Sequence, residues 1–158
     1  MKNKMMDMIV EKSSVKEYPK TLMTQYEKYF EDEVATTVSE AASKYSISED
    51  EAKKRLYGSA AAAAEYIKSS AEASAKEALI THAVKKSLGI EYTNKNYKDD
   101  LANLQAYLLY YGGYNLTTSE LEGIYTRDVL KIQFLYQTCN EELCKSSLPK
   151  DTPSIPGL

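Results

Sequence analysis

The stretch Ala78–Leu101 constrains the fold more than any other part of the chain, because it fixes how one helix ends and the next begins. Leu79, Ile80, Ala83, Val84 and Leu88 recur at helical spacing, so one face of this segment seeks a core. Lys85 and Lys86 fall in the last turn, where cations complement the helix dipole. Gly89 follows at the position where a helix is best ended in a left-handed conformation. Ile90, Glu91 and Tyr92 make a short extended crossing, and Thr93 can cap the helix that follows. The pattern is helix, sharp stop, apolar hinge, capped helix.

Long helical patterns flank it. A first short helix is expected from about Lys2 to Ser13, with Met5, Met8, Ile9 and Lys12 as a narrow stripe that reads as adaptable core, or else as a docking surface. Val15–Tyr18 is an extended connection, because the residue before Pro19 is pushed out of the helical region. Pro19 then opens a second helix running from Lys20 to about Tyr45. Met23, Tyr26, Phe30, Val34, Val38, Ala41 and Tyr45 step by three or four along it, a seam of coiled-coil type. At 1.5 Å per residue this element spans roughly 39 Å, too long to be wrapped on all sides in so small a chain, so it is expected to project as an arm.

Ser48 and Glu51 make a capping box for a third helix ending near Tyr57 and broken by Gly58. From Ser59 an Ala/Ser-rich run continues to Ala78. Such bias can mark a flexible segment, but alanine is the best helix former and its small side chain lets helices approach closely. We read it as an antiparallel return helix on the arm. After Thr93, Tyr97, Leu101, Leu104, Leu108 and Tyr111 follow in heptad order, with Tyr107, Leu109, Tyr110 and Tyr114 off the seam. Gly112-Gly113 ends that helix. Thr117 and Glu120 box the start of a last one, carrying Leu121, Tyr125, Val129, Ile132, Tyr136, Cys139 and Leu143 on one seam, broadened by Ile124, Phe134 and Leu135. Pro149, Pro153 and Pro156 forbid further helix from Lys145 onward. Strand alternation is confined to Ile90–Tyr92, so the expected fold class is all-α: an elongated helical domain with projecting arms. Its expected extent is residues 1–144, with arms over about 19–88, a hinge at 89–93, closing helices over 94–143, and a Pro-rich tail at 145–158.

The charge balance limits the partners. Charged residues make up 27% of the 158, and the net charge is −3, whereas a phosphate-binding surface needs a concentrated excess of Lys and Arg. No nucleic-acid partner is expected. The aromatic content is lopsided, with Tyr 14, Phe 2 and Trp 0. Tyrosine joins a large apolar ring to a hydroxyl that stays wet, which suits surfaces that meet partners and equally suits half-buried helix positions. Cys139 and Cys144 lie five apart on one expected helix, about 7.5 Å along its axis and beyond the ~7 Å reach of a disulfide. They read as reduced thiols of a cytoplasmic protein. The apolar run near Met5 is short, holds Asp7 and lacks a cleavage pattern, so it is not a signal peptide, and no run approaches the ~20 apolar residues of a membrane span.

Several of these pieces, in this order, resemble the C-terminal domain of trigger factor, the bacterial ribosome-associated folding chaperone. Lys2–Val10 is similar to the family's helix leading from the preceding domain, and Val15–Leu22 to the start of its first arm. Leu79–Tyr92 resembles its most recognisable run: an apolar helix, two charged residues, Gly-Ile, one residue, and an apolar-Thr pair. Leu116–Leu121 resembles its turn into the final helix. The resemblance covers roughly Lys2–Leu143. It implies an ATP-independent chaperone that binds unfolded or nascent polypeptides in apolar clefts between helical arms. The chain has neither a Gly-Phe-Arg-type ribosome-docking loop nor an FKBP-like prolyl isomerase β-domain. It therefore reads as a domain cut from a larger protein, touching a ribosome only through domains absent here.

No catalytic constellation competes with this reading. His82 has no Ser, Cys or acid at triad spacing. Glu31-Asp32-Glu33 and Asp99-Asp100 are adjacent helix residues that point to different faces, so they read as solvated surface rather than metal ligands. No Gly-rich phosphate loop or zinc spacing is present. No enzyme activity, cofactor or metal is expected. The candidate client-binding residues are Met23, Tyr26, Tyr29 and Phe30 on the arm, and Tyr107, Tyr110, Tyr111 and Tyr114 beyond the heptad, all of which are equally readable as helix-packing residues. The alternative function is a helical interaction module whose apolar seams bury a second copy in a homodimer.

Overall fold

Helix signals in the sequence come out as helices almost throughout. A computed structural model describes residues 4–147. Among the described residues it has seven α-helices and one π-helical turn: α1 (Met5–Lys12), α2 (Lys20–Tyr45), α3 (Glu49–Tyr57), α4 (Ala60–Leu88), α5 (Asn94–Tyr107), the π turn (Leu108–Gly112), α6 (Thr118–Tyr125) and α7 (Arg127–Ser147). No strand occurs among those residues. The chain divides into two units, one of Ser14–Leu79 and one of the residues up to Ser13 together with those from Ile80 on. The boundary falls inside α4.

The Ser14–Leu79 unit is organised by α2. Pro19 stands at its N-cap with φ −57°. Val34, Val38 and Ala42 from α2 bury against Ala52 of α3, with Ile47, Tyr57 and Ile67 closing the cluster. The helix ends on Ser46, which takes a left-handed conformation while the Ile47 N–H reaches back to the Ala42 carbonyl at 3.0 Å. Ser48 then caps α3, its hydroxyl accepting from the Glu51 N–H at 3.2 Å. Ser59 restarts the chain as α4 by accepting from the Ala62 N–H at 3.0 Å. The Ala-rich run is helical, and Ala63, Ala71, Ala75 and Ala78 are buried.

The other unit has two adjoining cores. Tyr97, Leu101, Leu121 and Leu130 form one, flanked by Leu104, Leu108, Leu116 and Phe134. Met6, Leu135 and Cys139 form the second, flanked by Val84, Ile90, Tyr92, Tyr136 and Leu143. Within residues 89–93, Ile90 and Tyr92 are half-buried against this second core, while Gly89, Glu91 and Thr93 are exposed. Thr93 caps α5 with Asn96 reciprocating, and Thr117 caps α6 with Glu120 reciprocating.

Four expectations are corrected. The last helix is two helices, broken at Thr126 with φ +56°, and the Thr126 hydroxyl caps the new start by accepting from the Val129 N–H at 3.4 Å. That break resets the helical phase, so Leu130, Leu135 and Cys139 are buried while Ile124 is 55% and Tyr125 41% exposed. Second, α7 runs on through Lys145 to Ser147, and Pro149, Pro153 and Pro156 lie outside the described residues. Third, α1 seats Met6 rather than the stripe of Met5, Met8 and Ile9. The Met6 N–H donates to Asn140 Oδ1 at 3.1 Å, and the Tyr136 hydroxyl donates to Asp7, which turns Met5, Met8 and Ile9 onto a shallow open groove beside Lys12. The fourth concerns Tyr111 and creates the candidate site.

Candidate functional site

Leu104 and Leu108 keep α5 against its core, and immediately after them the winding widens. Leu108–Gly112 forms a π-helical turn that closes on Gly113 at φ +69°. The Gly113 N–H donates to the Leu109 carbonyl and the Tyr114 N–H to the Leu108 carbonyl, both at 3.1 Å. A π turn holds more residues per turn than an α-helix, so side chains after Leu108 no longer fall on the heptad seam. Tyr111, expected on that seam, is rotated outward and is 72% exposed.

The result is a surface made of rings. Tyr107 is 59% exposed, Tyr110 81% and Tyr114 62%, with Leu109 at 53% between them. Tyr107 and Tyr111 lie with ring centroids 4.8 Å apart and tilted by 40°, while Tyr110 and Tyr111 meet edge to face at 4.8 Å. Tyr114 folds back over Gly112. A Cβ on Gly112 would come within 2.6 Å of that ring, so only glycine admits the arrangement. Beyond it, Gln105 Nε2 donates to the Leu116 carbonyl at 2.9 Å and fastens the returning chain to α5. No residue from Tyr107 to Asn115 is charged.

The candidates on α2 fare unevenly. Tyr26 is 4% exposed, so it belongs to the interior and not to the surface. Met23, Tyr29 and Phe30 are half-buried. Phe30 meets Tyr29 at 5.1 Å and Tyr66 at 6.3 Å, both edge to face, and Tyr66 meets Tyr57 at 5.4 Å. The Tyr66 hydroxyl donates to Glu33 Oε1 at 3.1 Å. Burial raises the pKa of both the Tyr57 and the Tyr66 phenol, and the Glu33 charge adds to it. Tyr57 and Tyr66 were not singled out in the sequence, although an antiparallel return over residues 59–78 already sets Tyr66 across from Phe30. These aromatics lie in the Ser14–Leu79 unit and the Tyr107–Tyr114 set in the other.

His82 is exposed, and partial desolvation with the Lys85 and Lys131 charges holds its pKa below the usual value. Asp32 pairs with Lys28 at 3.1 Å and Asp99 with Lys95 at 2.8 Å, both in solvent. Asp100 instead accepts from the Tyr92 hydroxyl at 2.7 Å and helps fasten the chain before α5. Among the described residues no group of three or more His, Cys, Asp or Glu side chains could hold a metal ion, and no helix is long and apolar enough to cross a membrane. A small pocket between α2 and α3, lined by Ala41, Tyr45, Ile47, Ala52, Arg55 and Leu56, adds one apolar recess in the Ser14–Leu79 unit. Compared with family models, with curated proteins and with solved structures, the chain finds no match.

Proposed function

We propose that the chain is an ATP-independent chaperone domain of the trigger factor C-terminal kind, which holds unfolded or nascent polypeptides on exposed apolar surface in the cytoplasm. The observation that carries the reading is the ring surface of Tyr107, Tyr110, Tyr111 and Tyr114, solvent-facing on and beside the π turn and free of charge. Exposed apolar patches of several hundred Å² mark interaction sites. At about 200 Å² per ring, these four leave about 550 Å² open. That is short of the ~800 Å² that each partner of a stable protein–protein interface contributes, but it suits a short extended segment.

Energetics favour a weak, multivalent hold. Partial coverage, ordering of the client and lost translational freedom leave on the order of 1 kcal/mol per ring. Four rings and Leu109 then supply about 4–5 kcal/mol, near the millimolar range, whereas micromolar affinity needs about 8 kcal/mol. Useful affinity therefore comes from several surfaces acting on one client, with the α2–α3 pocket and the half-buried Met23, Tyr29 and Phe30 as further contacts. Such binding is tolerant of client sequence and only mildly sensitive to salt. In this reading the domain performs no covalent chemistry, and any prolyl isomerase or ribosome-docking activity belongs to other domains.

The test is suppression of light scattering by an unfolded client as a function of chain concentration, with and without ATP, alongside binding of an apolar dye. Suppression without ATP together with dye binding supports the reading. A tight dimer that binds no dye and protects no client would replace it with the self-association alternative.

A further inference from the structure

The tyrosine surface carries chemistry that polypeptide holding does not use. We propose that Tyr107 and Tyr111 form an oxidative modification site, at which a one-electron oxidant joins the two rings by a carbon–carbon bond. The inference stands on the redox chemistry, exposure and geometry of these rings and does not depend on client binding.

Three features single out this pair. With no tryptophan in the chain, the exposed phenols are its most readily oxidised aromatic groups. Tyr107 and Tyr111 are 59% and 72% exposed, so a bulky oxidant can reach both. Their centroids are 4.8 Å apart, close to the separation of two rings joined directly by a single bond, and residues four apart share one face of the helix. Tyr110, 81% exposed and also 4.8 Å from Tyr111, is the first ring an oxidant meets and can pass a radical on to its neighbour. Its ring stands nearly perpendicular to that of Tyr111, at 79°, whereas the Tyr107 and Tyr111 planes are inclined by 40°. Of the two thiols that could compete as reductants, Cys139 is fully buried and Cys144 is half-buried, both on α7.

The step balances with a haem peroxidase and hydrogen peroxide as the oxidant. Each phenol gives up one electron and one proton, and the two hydrogen equivalents reduce hydrogen peroxide to two waters. The two phenoxyl radicals couple at Cε of each ring, the carbon ortho to the phenol oxygen, and the hydrogen on each of those carbons migrates back to oxygen. The product keeps both phenols and is two hydrogens lighter. The bond would staple Tyr107 to Tyr111 across the α5–π junction and fix both rings as one rigid surface.

The experiment treats the dilute full chain with peroxidase and hydrogen peroxide and follows dityrosine fluorescence, then maps the bond by tryptic digestion and fragmentation. No Lys or Arg lies between Lys98 and Arg127, so the expected link appears inside the single peptide Asp99–Arg127, lightened by two hydrogens. The competing pair, Tyr57 and Tyr66, falls in the separate peptide Leu56–Lys68. Tyr107→Phe and Tyr111→Phe each lose the signal, Tyr110→Phe slows it without abolishing it, and Tyr114→Phe leaves it. Circular dichroism checks that each variant is folded. The proposal is overturned if the link survives in Tyr111→Phe, maps to Tyr57–Tyr66, forms only between chains, or forms equally well in denaturant.

Discussion

Replacing Gly89 with Ala isolates the energy of the stop that separates α4 from α5. Gly89 has φ +64°, and a Cβ built on it meets nothing within 4 Å, so the substitution causes no collision. Its cost is conformational. A left-handed residue with a Cβ is disfavoured by about 1–2 kcal/mol, and the stiffer unfolded chain returns about 0.4–1 kcal/mol. The net loss is about 1 kcal/mol. Two hydrogen bonds and one apolar contact hold the conformation in place. The Ile90 N–H donates to the Lys85 carbonyl at 3.0 Å and the Gly89 N–H to the Lys86 carbonyl at 3.3 Å, while Ile90 and Val84 both pack on Met6, Leu135 and Cys139. The chain cannot relax by another route without leaving that core. In urea unfolding, a loss of this size lowers the midpoint by about 0.3–1 M at an m-value of ~1–3 kcal/mol per M. Gly89→Asn should lose less, because asparagine tolerates the left-handed region. An unchanged midpoint for Ala, or a larger loss for Asn than for Ala, would refute the reasoning.

Thr81 is fully buried and its hydroxyl has no hydrogen-bond partner, so the near-isosteric Thr81→Val should stabilise by about 1 kcal/mol, a rise of ~2–4 °C in melting temperature. A fall would mean that the hydroxyl is satisfied after all. Tyr97 is buried and donates to Glu122 Oε1 at 2.8 Å, and burial with that carboxylate pushes its pKa from 10.0 to about 12. Because the folded value is the higher one, the stabilisation is intact below pH 10 and fades as pH rises toward 12. Alkaline unfolding followed by ellipticity should therefore set in above pH 10 and shift when Tyr97 is replaced by Phe. For the thiols, Cys139 is 0% exposed and burial raises its pKa, so an alkylating reagent should label half-buried Cys144 first and Cys139 only on unfolding. Equal rates at both would contradict the buried position.

Local signals were legible and global packing was not. Ser48, Thr93, Thr117 and Gly89 were readable because a cap or a left-handed stop depends on residues within one turn. The seam through Val34 and Val38 was readable because those side chains fit only an interior. Thr126 was not, since a threonine at φ +56° has no composition of its own and the apolar seam runs through it unbroken. Met6 was missed because α1 is so short that polar anchors, Asn140 on its backbone and Tyr136 on Asp7, decide which face turns inward. Tyr26 went inward where sequence left it open, for an amphipathic ring is equally at home on either side. The exposed tyrosines were partly legible: Tyr107, Tyr110 and Tyr114 lay off the heptad. Tyr111 lay on it, and only the widened turn carries it out.

The most direct test of the account replaces Tyr107, Tyr110 and Tyr111 together with Ser, leaving Tyr114 on Gly112, and measures melting temperature and client protection on the same sample. Three exposed substitutions remove little packing, within about 0.5 kcal/mol each, so the melting temperature should move by only a few degrees while suppression of client aggregation is largely lost. Undiminished suppression, or a collapse of the melting temperature, would contradict the claim that these rings are a polypeptide-binding surface rather than part of the interior.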